Sequence, residues 1–408
     1  MGSTHETDLV LAHPTPAERG RTYASTYDSW GSALELEDYV RREEYMTTVP
    51  VTRNGGITQW ILTDPALPPD ARPILSSCES IRKPVLVARP EGGPVVEAVT
   101  HCVGSVFTDP AHRGNGYASV MMAMMGPALA RWQGAEMAKG EPWRDIRDGE
   151  VACSVLYSDI GKTFYAKHGW HPYESTHLDF PTTGAGAGAG EKPPRREAAP
   201  LGYHELAELC AVDERRLRAR LARPSASNKT RVSLVPDLDA MLWHLMREDY
   251  MTKHIFGKTP TVRGGVVGDR PGARVWAVWT RGYYGGLKRP DKGNTMHILR
   301  LAVEQEEEDG DDDAAAAAAA GSGPGPGPDD AFVQDAVEAL LRLARAEAAE
   351  WRVNNVELWN PDPRVRALVE RAGISHEFVE RETHSIASLM WYGEGEVEWV
   401  LNEKFGWC

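Results

Sequence analysis

The chain has 408 residues, 42% of them hydrophobic and 25% charged, with a net charge of −14. That length exceeds one ordinary core and implies at least two domains of a globular protein. Ten acids and no Lys or Arg lie between Glu304 and Asp330, and without them the charge falls to −4. The acidity therefore belongs mostly to one loop, and nothing in the composition suggests a nucleic-acid surface, so no nucleic-acid partner is expected. No apolar run approaches the ~20 residues that span a bilayer. Met1–Glu6 lacks the form of a secretory signal, so a cytoplasmic location and no membrane partner are expected. Five scattered cysteines (Cys78, Cys102, Cys153, Cys210, Cys408) without C-x-x-C spacing point away from disulfide or zinc frameworks, and no metal is expected.

In chain order, Asp8–Ala12 reads as a strand ended by His13-Pro14-Thr15-Pro16, and Leu34–Met46 has helical spacing. Ile57–Leu62 is a strand entered through Gly55-Gly56. Ile74–Val87 is another strand with a polar centre, Cys78-Glu79-Ser80-Ile81-Arg82-Lys83, fitting either a solvent face or a wall turned to a substrate. Val99–Ala118 then reads as strand, tight turn and helix start, with Arg113, Gly116 and Ala118 forming R-x-x-G-x-A. Backbone N–H groups at such a helix start, with glycine for close approach and arginine for charge, make a diphosphate site. Its alternative is a surface turn that happens to hold those residues. Pro127 is expected to kink or stop the following helix. Val151–Tyr157 is a buried strand, Lys162–His168 a short helix stopped by Gly169, and Trp170–Tyr173 with Thr176–Phe180 are expected to close the unit.

Residues 183–200 are Gly/Ala- and Pro-rich and read as a linker. Beyond it, helices are expected at Tyr203–Ala222 and Leu238–Tyr250, and strands at Gly264–Gly268, Val275–Arg281 and Thr295–Val303. After the acidic, poly-Ala and Gly-Pro insert 304–330 come a helix at Phe332–Arg352 and a strand at Val356–Trp359. A helix at Arg364–Ala372 and strands near Ile386–Trp391 and Val397–Leu401 finish the chain. This order repeats that of Val95–Phe180, an internal duplication. The second copy carries the insert where the first has Arg113-Gly114-Asn115-Gly116, and is expected to hold no diphosphate.

The turn Arg113, Gly116, Ala118, followed about fifty residues later by Phe164, Tyr165, Gly169 and Trp170 (F-Y-x-x-x-G-W), resembles the GNAT acetyltransferase superfamily. More narrowly, Ser77–Pro84, Met296–Arg300 and the ending Asn402–Cys408 resemble the fungal L-lysine N6-acetyltransferases of lysine catabolism. The resemblance implies an α/β (α+β) fold of two GNAT-like domains, each a mixed, mostly antiparallel sheet flanked by helices. Residues 1–182 would be catalytic and 201–408 degenerate. It implies acetyl transfer from acetyl-CoA to the ε-amine of free L-lysine, by a monomer or homodimer. The alternatives are another small amine, such as a polyamine or aminoglycoside, and a CoA-binding scaffold without activity.

A lysine ε-amine with pKa ~10.4 is only ~0.04% neutral at pH 7, so acetyl transfer needs a base. The resemblance places cofactor contacts at Val106, Phe107 and Thr108, and at Arg113 with the N–H groups of Gly114, Asn115, Gly116, Tyr117 and Ala118. It adds Asp159 and Lys162 from the loop before the short helix. Tyr165 is the expected acid for the departing thiolate, or an aromatic packed on the cofactor. His101 and Glu97, four apart on the central strand and so on one face, are the candidate bases. Glu79 and Arg82 would hold the ammonium and carboxylate of the amino acid, or else pair with each other. In some relatives the terminal carboxylate enters the site, which makes Cys408 a candidate substrate neighbour.

Overall fold

The computed structural model describes residues 9–134, 146–182, 195–288, 293–304 and 328–407. The first half runs β1 (Val10–Ala12), α1 (Pro16–Trp30), α2 (Leu36–Met46), β2 (Ile57–Thr63), β3 (Ser76–Ala88), β4 (Val96–Phe107), α3 (Tyr117–Leu129), β5 (Val151–Ser158), β6 (His171–Pro172) and β7 (Thr176–Pro181). The second opens with β8 (Ala199–Leu201), α4 (Leu206–Leu221), β9 (Thr230–Leu234), α5 (Leu238–Phe256), β10 (Gly264–Val267), β11 (Val275–Tyr283) and β12 (Asn294–Val303). It continues with α6 (Pro328–Glu350), β13 (Asn355–Trp359), α7 (Pro363–Ala372), β14 (Glu377–Glu380), β15 (Ile386–Trp391) and β16 (Val397–Trp399).

These strands make two sheets. One has the order β1-β2-β3-β4-β5-β15-β6, with β9 added beside β3 and β16 beside β9; the other is β8-β10-β11-β12-β13-β7-β14. Along both orders neighbours are antiparallel except one central parallel pair, β4 with β5 and β12 with β13. The two orders correspond strand for strand, so the expected duplication is present.

The copies have traded a strand. Thr176–Phe180 does not close the first unit; it pairs with β13 and β14 of the other sheet, Phe180 opposite Val356 and Leu178 opposite Phe378. Its place beside β5 is taken by β15, with Leu389 opposite Val155. Both strands present buried apolar residues, Leu178 and Phe180 in one and Ile386, Ala387 and Leu389 in the other. A sequence pattern shows that such a strand is buried but not against which sheet. Residues 1–182 and 201–408 are therefore halves of the sequence that each complete the other's sheet. Residues 183–194 of the linker and 305–327 of the insert lie outside the described residues.

The sheets share a core. Ile81, Val85, Cys102, Val155 and Leu389 of the first pack in one cluster with Trp276, Val278 and Leu299 of the second, with α4, α5 and Phe405 between them. α3 covers the opposite face of the first sheet with Met121, Met122, Met125 and Leu129. Pro127 sits in the last turn of α3, which ends at Leu129, so the proline stops this helix rather than kinking it. The expected helix Lys162–His168 is reduced to a 3-10 turn, Tyr165–His168. No described helix is long and apolar enough to cross a membrane.

The helix α1 has few apolar residues and is set by its start. Thr15 and Glu18 form a reciprocal capping box, with Pro16 at the first helical position. The fully buried Glu18 also takes a bidentate pair of bonds from Arg72, both 2.9 Å, and one from the Asp70 N–H at 3.0 Å. This pins α1 to the β2–β3 loop. Arg72, opposing the cost of burial, holds the Glu18 carboxyl down to about 2. A carboxyl depressed in the folded state stabilises above its unfolded pKa, and that stabilisation is lost as pH falls toward the folded value. Glu18→Gln is predicted to cost about 3 kcal/mol of unfolding free energy at pH 7. In denaturant titrations the penalty should shrink below pH ~4.5 and vanish near pH ~2. An equal penalty at pH 3 and pH 7 would contradict this assignment.

Candidate active site

β4 and β5 pair only as far as Val103 and Leu156, while β4 continues to Phe107. Their ends splay and leave the last N–H groups of β4 facing a gap. Here β4 also carries a bulge: Phe107 faces Ser77 and Gly104 faces Glu79, so Ser105 and Val106 together oppose Cys78. Ser105 adopts a left-handed φ of +53°, a strained value for a non-glycine residue.

After β4, a 3-10 turn at Pro110–His112 is capped by Asp109 and leads to α3. Gly116, at φ +78°, is the N-cap of α3, and Gly114 is also left-handed at +82°. A Cβ on either glycine would meet nothing within 4 Å, so the loop is an open cradle at a helix N-terminus. The exposed Arg113 is steadied by its Nε bond to the Thr108 carbonyl, 3.0 Å, and lies over the Phe107 ring at 5.5 Å. Val106, Phe107, Thr108, Arg113, Gly114, Asn115, Gly116, Tyr117 and Ala118 are thus contiguous along the rim of the splay.

The second motif backs this rim. Ser119 of α3 and His168 bond at 3.0 Å and tether the Tyr165 turn to the helix. Gly169 ends that turn at φ +99°, a left-handed backbone that strains any residue with a Cβ. Trp170 is fully buried. Tyr165 packs in one cluster with Cys78, Val103 and Leu156, beneath the splay. Burial raises its phenol well above the usual value, keeping it protonated at neutral pH.

On the opposite face lies a small cavity lined by α1, α2, β2, β3 and β4 of the first half. Glu79 of β3 accepts from Ser105 Oγ at 3.3 Å, directly at the bulge. Tyr23 and Thr26 of α1, Tyr39 and Glu43 of α2, and Gln59 surround it. Burial, with the Glu43 carboxylate adding to it, pushes Glu79 up to about 7. Beside this cavity, α5 of the second half packs on α2, with the Tyr45 and Tyr250 rings 5.5 Å apart, and carries Arg247, 5.9 Å from the Tyr284 ring. Elsewhere in the second half Lys404 is buried, its ammonium 4.1 Å from the Trp359 ring and 4.0 Å from that of Trp407. Burial lowers Lys404 to about 7.

Other expected residues lie elsewhere. Glu97 is exposed and ion-paired with Arg218 of α4. It stands nine positions from Val106, about 30 Å along an extended strand, too far to act as base there. His101 is fully buried, its Nε2–H donates to the Trp132 carbonyl at 2.7 Å, and burial lowers it to about 4. It is a neutral core histidine on the α3 side. Arg82 neither pairs with Glu79 nor shares its face, because the two are three apart on one strand. With Glu97, Arg53 and Arg218 it lines a separate cleft of about 850 Å³. Asp159 accepts from the Ser385 N–H at 2.9 Å and Lys162 pairs with Glu382 at 2.7 Å, so both fasten the segment leading into β15. Cys408 lies outside the described residues.

Three stretches far apart in sequence converge on the end of the chain. Lys83 Nζ donates to the Gly406 and Trp407 carbonyls at 3.1 and 3.3 Å. Arg300 bonds Glu403 at 2.7 Å and Asp213 at 2.7 Å. His244 bonds the Phe405 carbonyl at 3.2 Å. Residues 402–407 are thereby held against β3 and β4. Glu43, Arg42, Arg247 and Tyr284 carried no motif, whereas Lys404 lay inside the quoted terminal stretch.

Residues 177–408, more than half of the chain, match the family described as LYC1 GNAT-like C-terminal domain. The match starts within β7, the strand that joins the second sheet. A lysine acetyltransferase of Yarrowia lipolytica is 26% identical over 293 residues, covering 66% of this chain and 71% of that protein. An uncharacterised Saccharomyces cerevisiae protein is 22% identical over 282 residues, covering 60% and 65%. A crystal structure of an Enterococcus faecalis protein described as a probable N-acyltransferase superposes with a TM-score of 0.50 at 12% identity, over 93% of this chain and 71% of that one. Fold and site together define a GNAT-type N-acetyltransferase. The chain belongs to the LYC1-like GNAT family.

Arg113→Ala is predicted to weaken CoA binding about 10- to 100-fold by calorimetry, the loss of charge-assisted bonds from an exposed side chain. Gly116→Ala should also weaken it, because a left-handed φ costs a non-glycine residue roughly 1–2 kcal/mol. Unchanged CoA affinity in both variants would remove the loop as a cofactor site.

Proposed function

We propose that the protein transfers the acetyl group of acetyl-CoA to the ε-amine of free L-lysine, with residues 1–182 holding the cofactor and residues 201–408 covering the acceptor. The observation that carries this reading is Glu79: a carboxyl raised to about 7, at the bulge of the strand that opens onto the splay. The Yarrowia relative, named a lysine acetyltransferase, supports lysine as the acceptor.

Acetyl-CoA supplies the activated acyl group. The N–H groups of Gly114–Ala118 and the Arg113 guanidinium bind its diphosphate, as a glycine-lined helix N-terminus suits an anion. The stretch Val106–Thr108, beyond the end of the pairing with β5, suits the pantetheine arm and the developing oxyanion. Glu79, deprotonated, attracts the substrate ammonium and removes its proton; a base poised near neutral pH suits that transfer. This role replaces those expected for His101 and Glu97. Tyr165, kept protonated by burial, donates to the departing sulfur.

The base must be deprotonated, so kcat/KM for lysine is predicted to rise with pH through about 7 and then level off. Glu79→Gln should lower kcat roughly 10²- to 10⁴-fold and abolish that limb while CoA affinity is retained. The acceptor is settled by acetyl-CoA consumption against L-lysine, spermidine and an aminoglycoside. Turnover with spermidine alone would overturn the lysine assignment, and a Glu79→Gln enzyme with wild-type kcat would overturn the base.

A further inference from the structure

We propose that Arg247 holds the α-carboxylate of the acceptor and thereby sets a preference for amino acids over plain amines; this rests on the lysine reading above. Helix α5 packs on α2 through the stacked Tyr45 and Tyr250 rings, 5.5 Å apart, and a 3.0 Å bond from Tyr250 to the Asp38 carbonyl. Arg42 of α2 lies 3.5 Å from the Met251 sulfur. Arg247 is four residues before Met251, so it projects from the same face of α5 toward α2.

The guanidinium of Arg247 is half-buried and lies 5.9 Å from the Tyr284 ring. Among the described residues no carboxylate pairs with it. Its neighbours leave none to spare: Glu43 pairs with Arg42, Glu248 with Arg263 and Arg281, and Asp249 with Arg263. A half-buried cation without a counter-ion is costly unless a ligand supplies one. A planar guanidinium matches a carboxylate through two parallel bonds, which an ammonium cannot do.

Tyr39 and Glu43 of α2, the helix on which α5 packs, line the cavity that holds Glu79, so Arg247 lies on the α2 side of that cavity. A lysine with its ε-amine at Glu79 would turn its carboxylate toward Arg247. The cofactor half would then recognise the reacting amine, and the covering half would recognise the amino-acid end.

The test compares kcat/KM for L-lysine with that for cadaverine, which has the same carbon spacing between amines but no carboxylate. The wild-type enzyme should prefer lysine. Arg247→Gln should reduce the lysine-to-cadaverine ratio about 10- to 100-fold, chiefly through a higher KM for lysine. Arg247→Lys should recover part of the ratio, since it keeps the charge and loses the fork. A wild-type preference for lysine that persists in Arg247→Gln overturns this inference and leaves the lysine reading intact, even if both rates fall together. A wild-type enzyme that uses cadaverine and not lysine overturns both.

Discussion

The exchange of β7 for β15 is the constraint on which the rest of this structure depends. Each sheet is completed by a strand from the other half of the sequence, so neither half can be withdrawn without opening a buried sheet beside its central parallel pair. The shared core between Ile81, Cys102 and Val155 on one side and Trp276, Val278 and Leu299 on the other keeps the two faces opposed. A cleft between separate domains would open and close as its linker allowed. Here the turn before β15 is also clasped by Asp159 and Lys162, at the end of the strand that forms one side of the splay. The path of the chain thus ties the second half to the splayed ends of β4 and β5.

Duplication with exchange also explains how one fold became asymmetric in use. The first copy retains the short glycine-rich turn between its central strand and following helix. In the second, that connection is the insert 304–330, with ten acids and no Lys or Arg, a poor partner for a diphosphate. The second copy instead packs α5 on α2, Tyr284 against Ser32 and the terminal stretch on β3. The electrostatics follow the same division. An open backbone cradle and an exposed arginine suit a highly charged cofactor, whereas a half-buried set of carboxyls, guanidiniums and phenols suits a small zwitterion.

Much of the backbone geometry of the Arg113–Ala118 turn was legible because its signals are local. Arg113, Gly116 and Ala118 mark a turn whose backbone conformation needs glycine, and Gly169 before Trp170 marks another. The duplicated element order was likewise visible, since periodicity reports burial strand by strand. The acceptor side was harder to read because it is assembled from contacts between distant segments. Glu79 was singled out as a substrate ligand, but its raised pKa depends on Glu43 and on burial that no local pattern encodes. His101 and Glu97 shared a face in a regular strand, yet one is sealed under α3 and the other stands at the far end of β4. Helix α1 escaped notice because its capping box and the buried Glu18–Arg72 pair define it rather than an apolar stripe. Strand β7 had the right pattern and the wrong partner, since pairing between sheets is a long-range property.

Under the proposed function, two copies of one fold, locked together by strand exchange, make a single cofactor site. Calorimetric titration of CoA into the full chain tests it most directly. A stoichiometry of one CoA per chain is predicted. Two CoA molecules per chain would show that the second copy has kept its own cofactor site, and would contradict the account.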